Sequence, residues 1–353
     1  VDGYGSQDSV RSMIRQHKPD ILWFMTDPRF WGWLWQIEDE IRPHVPMVYY
    51  HVWDNYPYPK FNRAHYKGCD AIASISKVTH DIVENVVPEV DSAYIPHAVD
   101  PNIFKKLEDQ DTVNKFRMEH FGPDADKKLV FFWNNRNARR KQSGTLLFWF
   151  KAFLDKVGHD KASLVLHTDP KDPHGQDLEY IIKGLDLHHG QVKISNQKVP
   201  PQHLSLMYNA VDCTINISDA EGFGLATLES LSCETPIIVN MTGGLQEQVT
   251  DGEEWFGIGI EPVSKAIIGS QEIPWIYEDR LNEEVFVNAL EEFYNMSPEK
   301  RLELGQKGRQ HTLKNYNFEN FGKQWDDFMT KIYNEKGSWS NRKNYSSWEL
   351  KEL

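Results

Sequence analysis

Residues 211–229 read VDCTINISDAEGFGLATLE. The short run Val211–Ile217 reads as a strand, Ser218 to Leu225 as a loop, and the residues around Glu229 as a helix. The loop carries two glycines, Gly222 and Gly224, which let a backbone approach a ligand closely. A helix that starts there points unsatisfied N–H groups and its positive end outward, an arrangement suited to phosphate. Strand, glycine loop and helix in this order belong to an open α/β sheet, whose ligands sit at the carboxyl ends of the strands.

The same rhythm extends in both directions. Upstream, Ile21–Met25, Met47–His51, Asp70–Ser74 and Ala93–Ile95 read as strands followed by helices, and so do Leu129–Trp133 and Ser163–His167. Downstream, Pro236–Asn240 reads as another. Runs such as Leu129–Trp133 lack in/out alternation, and such runs separated by helices imply parallel sheets covered on both faces. Leu146, Leu147, Phe150, Phe153, Leu154 and Val157 repeat at helical spacing. Lys105 to Lys128 breaks the rhythm with charge and Gly122-Pro123, and is expected to cross between domains.

The expected organisation is therefore two Rossmann-like, doubly wound α/β domains. Residues 1–118 are expected to form the first domain and residues 119–320 the second. Residues 321–353 comprise a helix returning to the first domain and a polar tail, with Phe318–Tyr333 reading as an aromatic-rich amphipathic helix. The chain opens with Val and reaches a helix almost at once. A doubly wound domain normally begins with a strand and a glycine-rich turn, so the first domain is expected to be incomplete at its start.

Bulk properties narrow the function. The 353 residues suffice for two cores. No apolar run of about 18 residues is present, so no transmembrane segment is expected. Three scattered cysteines make neither a disulfide framework nor a zinc site, and fit a reducing cytoplasm. The net charge of −13 excludes nucleic acid as the main partner, because a phosphate backbone demands a basic footprint. Against this acidity stands one basic cluster, Arg136, Arg139, Arg140 and Lys141, directly after the strand Leu129–Trp133. A guanidinium fork and a flexible ammonium on one loop can bracket a diphosphate. Glu221 and Glu229, eight positions apart, span at most about 12 Å on a helix. That reach is comparable to the span from a sugar to a ribose across a diphosphate, and two glutamates at this spacing equally fit a capped helix with an exposed Glu.

In combination these motifs resemble the retaining GT-B glycosyltransferases of family 4, the glycosyl transferases group 1. The resemblance covers roughly Lys18 to Tyr333. It rests on Glu221-Gly222-Phe223-Gly224-Leu225 with Glu229, on Ser218, Pro236 and Gly243-Gly244, on Arg136 with Lys141, and on Ile95-Pro96-His97-Ala98-Val99-Asp100. The resemblance implies two Rossmann-like domains facing each other across a cleft. It implies a UDP-, GDP- or ADP-sugar donor, with a hexose moved to an acceptor with retention of configuration. By the same resemblance Glu221 contacts the donor sugar and Glu229 the ribose. The amides of Gly222, Phe223, Gly224 and Leu225 face sugar and phosphates. Arg136 and Lys141 stabilise the leaving diphosphate, and His51 stands near the sugar. No Asp-x-Asp is placed for a metal, and neither metal nor cofactor is expected.

The acceptor, whether saccharide, lipid-linked or other, is less marked. Asp27 follows one strand, and Trp53 and Asp54 follow another. Aromatic and carboxylate groups there suit a carbohydrate pocket, and equally suit surface-loop packing. Trp255 and Phe256 replace a short glycine-containing turn common in similar chains. Two other readings share the architecture: a nucleotide-sugar 2-epimerase and a non-catalytic nucleotide-sugar-binding subunit.

Overall fold

The computed structural model describes residues 3–345. Residues 1–2 of the expected first domain and 346–353 of the expected tail lie outside the described residues. The chain divides into two compact units. The first comprises Val1–His97, Ile267–Tyr277 and Glu319–Leu353, and the second Ala98–Ala266 and Glu278–Phe318.

The first unit is built on four parallel strands, β1 (Leu22–Thr26), β2 (Met47–His51), β3 (Ala71–Ser74) and β4 (Asp91–Tyr94), in that spatial order. Strand β2 is buried at every residue, as expected for an interior parallel strand. Phe24, Trp35, Tyr49, Tyr66 and Ile82 fill the core beside it. The helix Phe318–Lys336 packs Trp325 edge-on against Trp23 and Tyr50, with ring centroids 5.8 and 4.9 Å apart. This T-shaped geometry suits the aromatic quadrupole.

The second unit holds six parallel strands: β5 (Leu129–Asn134), β6 (Ala162–His167), β7 (Val192–Ser195), β8 (Cys213–Asn216), β9 (Ile237–Asn240) and β10 (Gly257–Ile260). Their spatial order is β10-β9-β8-β5-β6-β7. Read from β7, this is the 3-2-1-4-5-6 order of a dinucleotide-binding fold, and its direction of winding reverses between β5 and β8. Helix Ser143–Val157 lays Leu146, Leu147, Phe150, Phe153 and Leu154 onto the sheet, all fully buried with Phe131 and Trp133. No helix among the described residues is long and apolar enough to cross a membrane.

The units divide the chain differently from the expected boundaries. The crossing segment folds as helix Gln110–Phe121 inside the second unit. Arg117 on this helix donates to the Asp212 carboxylate at 2.7 Å and to the carbonyls of Ala125, Lys128 and Ala210. A cut after residue 118 would leave these acceptors unpaired, and the change of unit falls after His97. The strands β11 (Ser264–Ile268) and β12 (Ile276–Arg280) form a separate two-stranded sheet. Its outer part, Ile267–Tyr277, belongs to the first unit. There Trp275 meets Phe61 edge-on, and the Tyr277 amide donates to the Tyr56 carbonyl at 2.6 Å.

Candidate functional site

Two loops leave the sheet where its winding reverses. One runs from β5 through Asn135 to the single 3-10 turn Arg139–Lys141, and the other runs from β8 through Ser218 to Gly224. The second loop ends on helix Leu225–Ser232, whose N-cap is Gly224 at φ 94°. Only glycine takes that backbone angle at no steric cost. A Cβ there would also lie 2.6 Å from Leu245. On the other side, a Cβ on Gly244 would lie 2.6 Å from the Phe223 Cα. The Gly244 amide donates to the Glu221 carbonyl at 3.0 Å. The two glycine turns thus press the loop into one shape. Phe223 itself is core, buried against Tyr316, so only its backbone faces the loop interior.

Glu221 is buried, and the Lys141 ammonium donates to its carboxylate through a close ion pair. The Arg140 guanidinium stands 3.7 Å from the other carboxylate oxygen and also donates to the Ala220 carbonyl. Burial opposes the charged form of Glu221. The two cations outweigh it and hold the carboxyl down at about 2. Arg136 is elsewhere: exposed, it donates to Asp172 at 2.6 Å and contacts His174 at 2.7 Å, in the loop after β6. That pairing holds the Asp172 carboxyl well below the usual carboxylate range.

Glu229 sits on helix Leu225–Ser232 and accepts from the Tyr208 hydroxyl at 2.8 Å. The Tyr208 hydroxyl in turn accepts from the Asn134 amide at 2.9 Å. A hydrogen-bonded path therefore links the end of β5 to Glu229. Burial raises the Glu229 carboxyl to about 7, against the lowering pull of the Tyr208 hydrogen bond.

A charged layer beneath the loop was not singled out from the sequence. The Asp219 amide donates to the Arg140 carbonyl at 2.8 Å, and the Asp219 carbonyl accepts from the Asp279 amide at 2.7 Å. Its carboxylate meets Arg280 at 3.0 Å, while Arg139 and Arg280 both pair with buried Glu278. Burial pushes the Asp219 carboxyl up to about 6 although Gln142 and Arg280 pull it down. The signal was present as Glu278-Asp279-Arg280, three charges in a row, but nothing local ties them to a loop some 60 residues earlier. Arg280→Ala is expected to lower stability by about 1–3 kcal/mol, since Asp219 and Glu278 lose a charged donor. Urea unfolding measures this, and Arg280→Lys should recover part of the loss.

In the first unit, His51 ends β2 fully buried, its ring nitrogens 3.1 Å from the Tyr49 hydroxyl and 2.6 Å from the Tyr66 hydroxyl. Burial drives its pKa down to about 3, so the ring is neutral at physiological pH. Asp27 caps the turn Pro28–Trp31 and pairs with Arg29 at 3.0 Å. Trp53 packs its indole in the core, donating to the Asn55 carbonyl at 2.8 Å, so it offers no open stacking face. Asp54 is half-buried. Among the described residues, Asp186, His188 and His189 form an exposed grouping of metal-ligating type, in which no residue of the two loops after β5 and β8 takes part.

Two Rossmann-like units with parallel sheets, one carrying glycine loops and cations at its switch point, define a GT-B protein. Structural comparison agrees. A sucrose-phosphate synthase from Thermosynechococcus elongatus superposes with a TM-score of 0.72 at 16% identity, covering 93% of this chain and 77% of that one. The Anabaena protein HepE, in complex with UDP and glucose, superposes with a TM-score of 0.69 at 13% identity, covering 94% of this chain and 84% of that one. Residues 118–311 match the family described as glycosyl transferases group 1. The chain belongs to that family.

Among curated relatives, an alpha-monoglucosyldiacylglycerol synthase from Streptococcus pneumoniae is 25% identical over 229 residues, which are 64% of this chain and 50% of that protein. An N-acetyl-alpha-D-glucosaminyl L-malate synthase from Bacillus anthracis is 22% identical over 240 residues, 67% of this chain and 58% of that protein. The chain thus spans about half the length of these relatives.

Proposed function

We propose that this protein moves a hexose from a nucleoside-diphosphate sugar to an acceptor with retention of configuration and without a metal, as in family 4. The observation that carries this reading is the buried Lys141–Glu221 pair at the switch point, beside the amino end of helix Leu225–Ser232. A diphosphate competes with Glu221 for Lys141. As the ammonium turns to phosphate, the carboxylate is released to accept from donor-sugar hydroxyls. The backbone amides from Gly222 to Leu225 and the helix dipole add positive potential where the leaving diphosphate gathers charge. Glu229 accepts from the ribose. Arg136 can exchange Asp172 for phosphate, as its exposure permits. Protein cations at the leaving group supply the charge that a metal would otherwise provide.

In this reading the acceptor is held by the first unit, with Asp27 and Asp54 as its polar contributors, while Trp53, buried with its indole N–H on the Asn55 carbonyl, takes no part. His51, fully buried with its ring nitrogens on the Tyr49 and Tyr66 hydroxyls, acts as a neutral positioning group at the end of β2 and not as a sugar contact, acid or base. The similarity to HepE, solved with UDP and glucose, makes UDP-glucose the first donor to try. The buried cysteines, none in a disulfide, support a reducing cytoplasm.

Calorimetry with UDP, GDP and ADP tests the donor site, and incubation of the preferred nucleotide sugar with candidate acceptors tests transfer. Arg136→Ala is expected to weaken nucleotide binding and to lower the melting temperature only modestly, because the arginine itself is exposed although its partner Asp172 is largely buried. Epimerised sugar from donor alone, or nucleotide binding with no turnover on any acceptor, would replace transfer by the corresponding alternative.

A further inference from the structure

The donor loops occupy the carboxyl ends of the strands. At the opposite, amino end of β10, a cavity of about 540 Å³ opens between the turn before β10 and the helices Glu283–Asn295 and Pro298–Asn315. This volume lies within the roughly 300–1,000 Å³ of small-molecule clefts. Its wall carries Trp255, which is 46% exposed although it directly precedes buried Phe256.

The indole is seated firmly. Gly259 has no side chain, and a Cβ there would lie 2.6 Å from the Trp255 six-membered ring and 2.5 Å from the Met241 sulfur. The ring therefore rests on strand backbone that only glycine leaves uncovered. The turn that delivers it is also fixed. The Asp251 carboxylate accepts from the amides of Glu253 and Glu254 at 3.0 and 2.9 Å, and the Phe256 amide donates to the Val249 carbonyl at 2.8 Å.

The charges around the indole select the ligand class. Lys307 pairs with Glu254 at 2.8 Å and with Glu303 at 3.1 Å, and Lys300 pairs with Glu303 at 3.0 Å. These ammonium groups are paired with glutamates and do not call for an anion. Glu253 and Glu292 also line the cavity and have no ion pair among the described residues. An exposed indole in one cavity with two unpaired carboxylate acceptors matches a polyhydroxyl ring, which stacks its C–H face and donates its hydroxyls.

We propose that this cavity is a second carbohydrate site, binding a neutral pyranose-containing saccharide on Trp255 separately from the donor site. Calorimetric titration of the whole chain with maltose, sucrose and cellobiose should give, for at least one of them, a dissociation constant on the order of millimolar. Trp255→Ala should abolish that binding. The Glu253→Gln, Glu292→Gln double variant should weaken it about tenfold, the factor that 1.4 kcal/mol represents. UDP affinity should be unchanged in both, which keeps a failure here distinct from a failure of the donor reading. If Trp255→Ala does not fold, Trp255→Phe and the glutamine pair decide the matter. No saccharide binding, saccharide binding that survives these substitutions, or binding of choline or spermidine instead overturns the proposal.

Discussion

Lys141→Ala is expected to destabilise the protein by about 3–5 kcal/mol and to abolish transfer. The ammonium and the Glu221 carboxylate are both about nine-tenths buried, and removing one partner of such a pair strands the other charge. Arg140, at 3.7 Å, compensates only in part. The Lys141→Met, Glu221→Gln double variant should recover most of the stability, because no uncompensated charge is left buried. It should recover no turnover, because both of the proposed donor contacts are removed. Urea unfolding and product formation read the two quantities separately. Transfer by the double variant at near wild-type rate would show that the pair is structural.

The same pair predicts acid sensitivity. The folded-state pKa of Glu221 is depressed from 4.5 to about 2. Its contribution is therefore fully present above about pH 4.5 and is lost as pH falls toward 2. Glu221→Gln should flatten the stability profile in that window.

Glu229 is expected to show the opposite sign. Its folded-state pKa is raised from 4.5 to about 7, so the folded state favours the protonated carboxyl. The corresponding stability is present below about pH 4.5 and declines as pH rises to 7, by roughly 3 kcal/mol at 1.36 kcal/mol per unit. Nucleotide affinity should move the other way. A ribose hydroxyl is a better donor to a carboxylate than to a carboxylic acid, so binding should strengthen as pH rises through 7. Calorimetry of the preferred nucleotide between pH 6 and 8 checks this, at about one unit on either side of that value. In Glu229→Gln the pH dependence should vanish, and a slope retained there would assign it to another group.

The legibility of this protein in its sequence is uneven for physical reasons. Long apolar strands were plain: β2 and β5 lie where Met47–His51 and Leu129–Trp133 were read. Helix Ser143–Val157 was equally plain, because its core face repeats at 3.6 residues. Strands β7, β10, β11 and β12 were not. Val192–Ser195 is partly polar, Gly257–Ile260 alternates with glycine, and Ser264–Ile268 and Ile276–Arg280 are half exposed or charged. Such segments become strands through their neighbours, since backbone pairing and tertiary burial override a weak local preference.

The sequence by itself determined the α/β class, the two glycine turns around Glu221 and the family pattern, because these depend on local backbone demands and on spacing along one chain. Only the tertiary structure decided which charges meet. It placed Lys141 and Arg140 on Glu221 and sent Arg136 to Asp172. It brought Glu278 and Arg280 under Asp219 from a hairpin whose outer part joins the other unit. It also buried His51 and Trp53 while leaving Trp255 open. Strand order and side-chain burial are set by packing among segments far apart in the chain, and residue type alone does not encode either.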